Sequence, residues 1–203
     1  MKVVYCIAHT DYSPGACNKQ NCENALSRYI CSRLVEKSLY ESILVESNKK
    51  GYVDSLQDKV NKINAIMPDL AIEIHFNASS YKNATGTEIL YHPRSSISRQ
   101  HAYLLSDILS DVLPFKMRTV KNRPDLMILR EVKCPIIILE LCFISNLEDM
   151  QTYHLNKKKI IRDINQSVNK MKRSVCPLLI TSQKTIKSWW SWLRRLLRLL
   201  ASS

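Results

Sequence analysis

Apolar positions along the chain switch repeatedly between two spacings. Residues 2–8, KVVYCIA, form a continuous apolar run of the kind that fills a strand covered on both faces. Ala25, Leu26, Tyr29, Ile30 and Leu34 then recur at helical intervals and predict a helix over 22–37. A short alternating segment at 41–47, ESILVES, reads as a strand. A second helical run over 54–67 carries Leu56, Val60, Ile63 and Met67, with Asp54 as its expected N-cap and Pro68 as its stop. Further strands are expected at 69–76 (DLAIEIHF), at 87–92 (TEILYH) after a Gly86 turn, and at 135–141 (PIIILEL). Helices are expected at 96–113, ended by Pro114, and at 156–172. Strands alternating with helices predict an α/β fold: a single domain with a largely parallel or mixed central sheet flanked by helices.

Three of these apolar strands end in ionisable groups. The first runs into His9, the strand at 69–76 delivers His75, and the strand at 135–141 delivers Glu140. Taken singly, each has an ordinary explanation as a hydrogen-bonded or solvent-facing residue. Taken together they matter, because open α/β sheets build their sites beyond the carboxyl ends of strands. Two neutral imidazoles and a carboxylate suit an open zinc site, and a further carboxylate beside it suits a general base. Spacing alone leaves the third ligand open. Glu23, at the start of the first helix, is a candidate, but on spacing alone it is better explained as a first-turn acid favoured by the helix dipole.

Charge narrows the partners. The 203 residues carry 30 Lys and Arg against 18 Asp and Glu, a net +12. Such a balance favours an anionic partner: nucleic acid, an acidic membrane or a polyanionic envelope. Residues 1–175 carry no helix-turn-helix, zinc-finger or clustered aromatic–basic signature, so no nucleic acid is expected. The 7 cysteines are odd in number and lack repeated close pairs, and are expected to be reduced thiols. Cys6, Cys134 and Cys142 sit in or beside apolar runs, as small buried hydrophobes. The apolar run before His9 is too short for a signal-peptide core, and no apolar run has transmembrane length. The expectation is synthesis in the cytoplasm without a recognisable signal peptide.

Composition shifts at 176–185, which divides the chain into a domain over 1–175 and a linker with a terminal segment over 176–203. In TIKSWWSWLRRLLRLL (185–200), Lys187, Ser191, Arg194, Arg195 and Arg198 share one side of a helical projection, with Ile186, Trp189, Leu193, Leu196, Leu197 and Leu200 opposite. Trp189, Trp190 and Trp192 are the 3 tryptophans of the chain. A basic, tryptophan-bearing amphipathic helix suits an anionic membrane or outer-membrane surface, with Trp189, Trp190, Trp192, Arg194, Arg195 and Arg198 as its contacts. Docking of its apolar face on protein is the other reading.

Four ordered motifs carry a family resemblance: IAHTDYSPGACNKQNCENALSRYI, DLAIEIHFNAS, GTEILYH and LREVKCPIIILELCFISNLED. Together, over roughly residues 2–172, they resemble the zinc-dependent N-acetylmuramoyl-L-alanine amidases, a family that includes phage lysis enzymes. The resemblance implies that His9, Glu23 and His75 hold one zinc ion and that Glu140 is the catalytic glutamate. It gives Asn77 and Arg130 a supporting place beside the substrate. It also implies hydrolysis of the bond between N-acetylmuramic acid and L-alanine, peptidoglycan as partner, and action at the cell wall or in the periplasm. Two departures stand out. A glycine-rich turn of the family is Ala8-His9-Thr10-Asp11 here, and Cys142 replaces a glycine after the catalytic strand. A competing reading of another class is a non-enzymatic basic envelope- or membrane-binding protein on an amidase-like scaffold.

Overall fold

The computed structural model describes residues 1–171; the segment 185–200 discussed above lies outside the described residues. In chain order the elements are β1 (Lys2–Ile7), α1 (Glu23–Glu36), β2 (Glu41–Val45), α2 (Tyr52–Ile66), β3 (Leu70–Asn77), β4 (Glu88–Tyr91), α3 (Ser96–Ser110), β5 (Lys121–Asn122), α4 (Met127–Glu131) and β6 (Ile136–Phe143). A further helix, α5, covers residues 147–171.

The six strands form one sheet in the order β2-β1-β3-β6-β4-β5. The first four are parallel, β4 runs antiparallel to β6, and β5 runs parallel to β4. The central strands alternate between two separate cores. Val3, Tyr5, Ile7, Ile72, Ile74, Leu139 and Leu141 point to one face, where Ile30 and Leu34 of α1, Leu105 of α3 and Ile160 and Ile164 of α5 cover them. Val4, Cys6, Ala71, Ile136 and Ile138 point to the other, under Val60 and Ile63 of α2 and Ile128 and Leu129 of α4. Because side chains alternate along a strand, Glu73, His75, Glu88 and Glu140 all fall on this second face. The short α4 leaves it less fully covered, so the polar residues gather on one side of the sheet as well as at its carboxyl edge.

Sequence and structure differ in places. The expected N-cap Asp54 lies inside the first turn of α2, whose cap is Gly51. The helix end before Pro68 is as expected, with Met67 left-handed at φ 47°. Helix α5 starts about two and a half turns earlier than its lysine-rich part suggests, and buries Met150 and Tyr153 ahead of Ile160. The expectation of reduced cysteines is corrected for one pair. Cys17 and Cys22 form a disulfide, brought together by an antiparallel bridge between the two residues. The intervening chain reverses locally, with Asn18 Oδ1 accepting the Gln20 and Asn21 amides. Cys6, Cys134 and Cys142 are free and buried, as their apolar neighbours predict, and Cys31 is free and buried as well.

Candidate metal centre and catalytic cleft

His9 follows β1 with φ 60°, a left-handed conformation that costs a non-glycine residue about 1 kcal/mol or more. Two side chains of α1 hold the preceding peptide. Ser27 Oγ accepts the Ala8 amide at 2.9 Å, and Asn24 Nδ2 donates to the Ala8 carbonyl at 2.9 Å. The turn then passes Gly15, at φ +76°, where a Cβ would stand 2.6 Å from both Glu23 Oε2 and His9 Cδ2. A glycine is required there on both counts.

Glu23 opens α1 and is only 5% exposed, yet both its carboxylate oxygens are engaged. Oε2 lies 3.0 Å from His9 Nε2 and accepts the Ala16 amide at 3.2 Å. Oε1 lies 2.7 Å from His75 Nδ1 and accepts the Phe76 amide at 3.2 Å. Burial acts to raise the Glu23 carboxyl, but the hydrogen bonds and charges of His75 and His9 outweigh it and hold it far below the ordinary range. The two imidazoles meet edge-on, with centroids 5.1 Å apart.

One donor atom from each of His9, Glu23 and His75 lies within 4.8 Å of the others. Two nitrogens and one oxygen in that space are the donor set of an open zinc site, which uses three protein ligands and leaves one position for water or substrate. The residues fit the ion that the family resemblance implies.

Glu140 is the register partner of His75 across β3 and β6. Its Oε2 is buried and has no hydrogen-bond partner among the described residues. Burial pushes its carboxyl up to about 7, opposed by His75 and reinforced by the charges of Glu23, Glu88 and Glu73. His9, His75 and Glu140 line one cleft of about 130 Å³, with Tyr52, Leu56 and Met127 among its walls. A carboxylate poised between acid and base, next to three converging donors, is suited to moving a proton to and from a reacting water.

Two residues that the sequence reading missed stand behind His75. Glu73, two positions earlier on β3, places Oε2 3.1 Å from His75 Nε2, within ion-pair distance though off hydrogen-bond alignment. Its Oε1 accepts from Lys59 Nζ at 2.6 Å, and Lys59 reaches on to the Ile7 carbonyl at 3.3 Å. The signal was present: a lysine on the apolar side of the 54–67 helix and a glutamate inside an apolar strand, opposite in charge.

The other predicted residues divide. Asn77 lies near Glu140 and donates from Nδ2 to Glu88 Oε2 at 3.3 Å. Arg130 is not brought to the cleft. It pairs with Glu131 and lines a separate hollow beside Pro135 and Ile136, at the opposite end of β6 from Glu140. The tail residues Trp189, Trp190, Trp192, Arg194, Arg195 and Arg198 are outside the described residues.

Comparison with known proteins places this geometry. The family described as Amidase_3, N-acetylmuramoyl-L-alanine amidase, matches residues 3–170. The N-acetylmuramoyl-L-alanine amidase LytC of Bacillus subtilis (strain 168) is 29% identical over 146 residues, covering 70% of this chain and 29% of LytC. An uncharacterised Clostridium perfringens protein is 31% identical over 87 residues, 42% of this chain and 26% of that protein. The chain thus spans less than a third of the length of these curated relatives. Among solved structures, the catalytic domain of the CD27L endolysin targeting Clostridia Difficile superposes with a TM-score of 0.73 at 24% identity, covering 84% of this chain and 97% of that one. The N-acetylmuramoyl-L-alanine amidase from Clostridium difficile 630 gives 0.74 at 23% identity, covering 85% and 97%. The structural likenesses establish a shared fold, and the match over nearly all described residues settles membership: the chain belongs to the N-acetylmuramoyl-L-alanine amidase family.

Proposed function

We propose that this chain is a zinc-dependent amidase that cleaves the bond between N-acetylmuramic acid and L-alanine in peptidoglycan. The observation that carries the proposal is the pairing of His75 with Glu140 on adjacent strands, beside a Glu23 carboxylate held between two imidazoles. When bound, a zinc ion at His9, Glu23 and His75 supplies Lewis-acid polarisation of the scissile carbonyl and acidifies a water. Glu140 takes a proton from the attacking water at its carboxylate and returns it to the nitrogen of the departing L-alanine. Its apolar strand gives that carboxylate a fixed position and little water to compete. Family membership supports the substrate, and the fit of the three donors supports the metal.

Purified peptidoglycan digested by the wild type is expected to release new N-terminal alanine, and Glu140→Gln to release it at least 100-fold more slowly, the low end of acid–base contributions. No new N-terminal alanine from the wild type, or equal release by both proteins, overturns the reading. Action at the wall or in the periplasm belongs to the same proposal. The basic segment 185–200 is proposed to hold the protein at an anionic surface. Co-sedimentation with anionic vesicles, lost on truncation after residue 180, supports that role, and equal binding by both forms removes it.

A further inference from the structure

The cleft at Glu140 continues into a second hollow, of about 310 Å³, over β4 and β5; Leu90, Arg123 and Glu140 line both. The two hollows differ in chemistry. Tyr52, Leu56 and Met127 give the first an apolar and aromatic wall. In the second, Glu88 stands opposite Glu140 in the antiparallel register of β4 and β6, and is 4% exposed. Two cations converge on its Oε1: Lys121 Nζ at 2.9 Å and Arg118 Nε. Asn77 already occupies Oε2. The lining as a whole sets Arg118, Lys121 and Arg123 against the carboxylates of Glu88 and Glu140, an excess of one positive charge. The Arg118 and Lys121 side chains are about a third to a half exposed; Arg118 Nη1 donates to the Thr85 carbonyl at 3.0 Å, which leaves Arg118 Nη2 and the other Lys121 donors to take a second anion.

Resting on the amidase reading, we propose that Arg118 and Lys121 form a subsite for a free carboxylate of the stem peptide, on the residue that follows L-alanine. The argument is one of charge and reach. Once its lactyl carboxyl is tied up in the scissile amide, the muramic acid side offers hydroxyls and an acetamide, which suit the wall of Tyr52, Leu56 and Met127. Free carboxylates lie on the peptide side. Directly opposed residues of an antiparallel pair have Cα atoms about 5 Å apart. One extended residue spans about 3.5 Å. A peptide leaving Glu140 therefore reaches the Glu88 cations within one or two residues. The substrate lies with its sugar toward α2 and α4 and its peptide across β4 and β5, and the two cations read the acid state of the stem.

Two muropeptides test this, identical except that the second stem residue carries its α-carboxyl as free acid in one and as carboxamide in the other. The wild type is expected to favour the acid about tenfold in kcat/KM, the value of a charge-assisted hydrogen bond. Lys121→Gln, which leaves Arg118 on Glu88, is expected to shrink the ratio, and Lys121→Gln with Arg118→Gln to bring it near unity. Because the ratio is taken within one protein preparation, partial loss of fold cancels from it. Equal rates on both muropeptides with the wild type, or a double variant that keeps the wild-type ratio, overturn the subsite while leaving the amidase standing. Hydrolysis of neither overturns the amidase reading and the subsite with it.

Discussion

Lys59 and Glu73 form an ion pair in which both side chains are 2% exposed, Nζ to Oε1 2.6 Å, immediately behind the His75 imidazole. Burial acts to raise the Glu73 carboxyl, yet Lys59 and His75 bring it down to about 2. Removing one member of such a pair leaves an uncompensated charge and costs about 3–5 kcal/mol. Lys59→Met is expected to lose that much stability in denaturant titration. Lys59→Met combined with Glu73→Leu is expected to recover most of it, while zinc affinity falls about 10- to 100-fold through loss of the group that orients His75. Full recovery of both properties in the double variant would show the pair to be structural alone.

Metal content separates the enzyme from a basic binding protein on the same scaffold. Purified protein is expected to hold about one zinc per chain, and His75→Ala to hold none. Since the ion binds the folded cluster, excess zinc at about 100 times its Kd adds about 2.7 kcal/mol to stability, and a chelator removes it. Elemental analysis and thermal scans with and without chelator check both statements. A wild-type protein with no metal and no zinc-dependent Tm contradicts them.

The Cys17–Cys22 disulfide closes the turn that leads into Glu23, whose amide donates to the Ala16 carbonyl at 2.9 Å. Loop-closure arithmetic for so short a ring gives about 2 kcal/mol. Cys17→Ser is expected to lower stability by about that amount and to weaken zinc binding, because the Ala16 amide also holds Glu23 Oε2. Alkylation before and after reduction, followed by mass spectrometry, is expected to find two additional thiols after reduction. Finding all seven alkylated without reductant would remove the cross-link from the account.

Titration of the metal-free protein has a definite sign. The fold raises Glu140 from 4.5 to about 7, so it favours the protonated form, and stability declines as pH climbs through that window. His75 is also raised above its usual value: burial opposes the shift, and the carboxylates of Glu73 and Glu23 impose it. Its contribution is present below the imidazole's unfolded value and is lost at higher pH, in the same direction. Glu23 and Glu73 are lowered, so their effect falls below the ordinary carboxylate range, outside this window. In chelator, Tm is expected to fall between about pH 5 and pH 8, and Glu140→Gln to flatten the lower half of that decline. A Tm that rises across the interval contradicts the assignment.

The sheet was legible because parallel strands, covered on both faces, read as uninterrupted apolar runs. His75 and Glu140 were legible for the same reason, as polar interruptions of those runs. Glu23 was not, since an acid in a first helical turn is ordinary; the family motif picked it out, and the structure places it between two imidazoles. Strand β5 is two residues long and helix α4 five, too short to show a period. The Cys17–Cys22 cross-link was not expected because it depends on a local chain reversal, which Asn18 provides through side-chain hydrogen bonds rather than through any hydrophobic pattern.

Gly15 gives the protein an unusually simple point of failure. All three donor residues and Glu140 would survive Gly15→Ala, yet the added methyl would occupy the space between His9 and Glu23. Such a variant would keep the cationic hollow and the sheet while jamming the donor cluster. On the proposed function it would be an inert twin, with the hollow for the peptide kept and the donor cluster disabled, so that binding could be followed apart from cleavage.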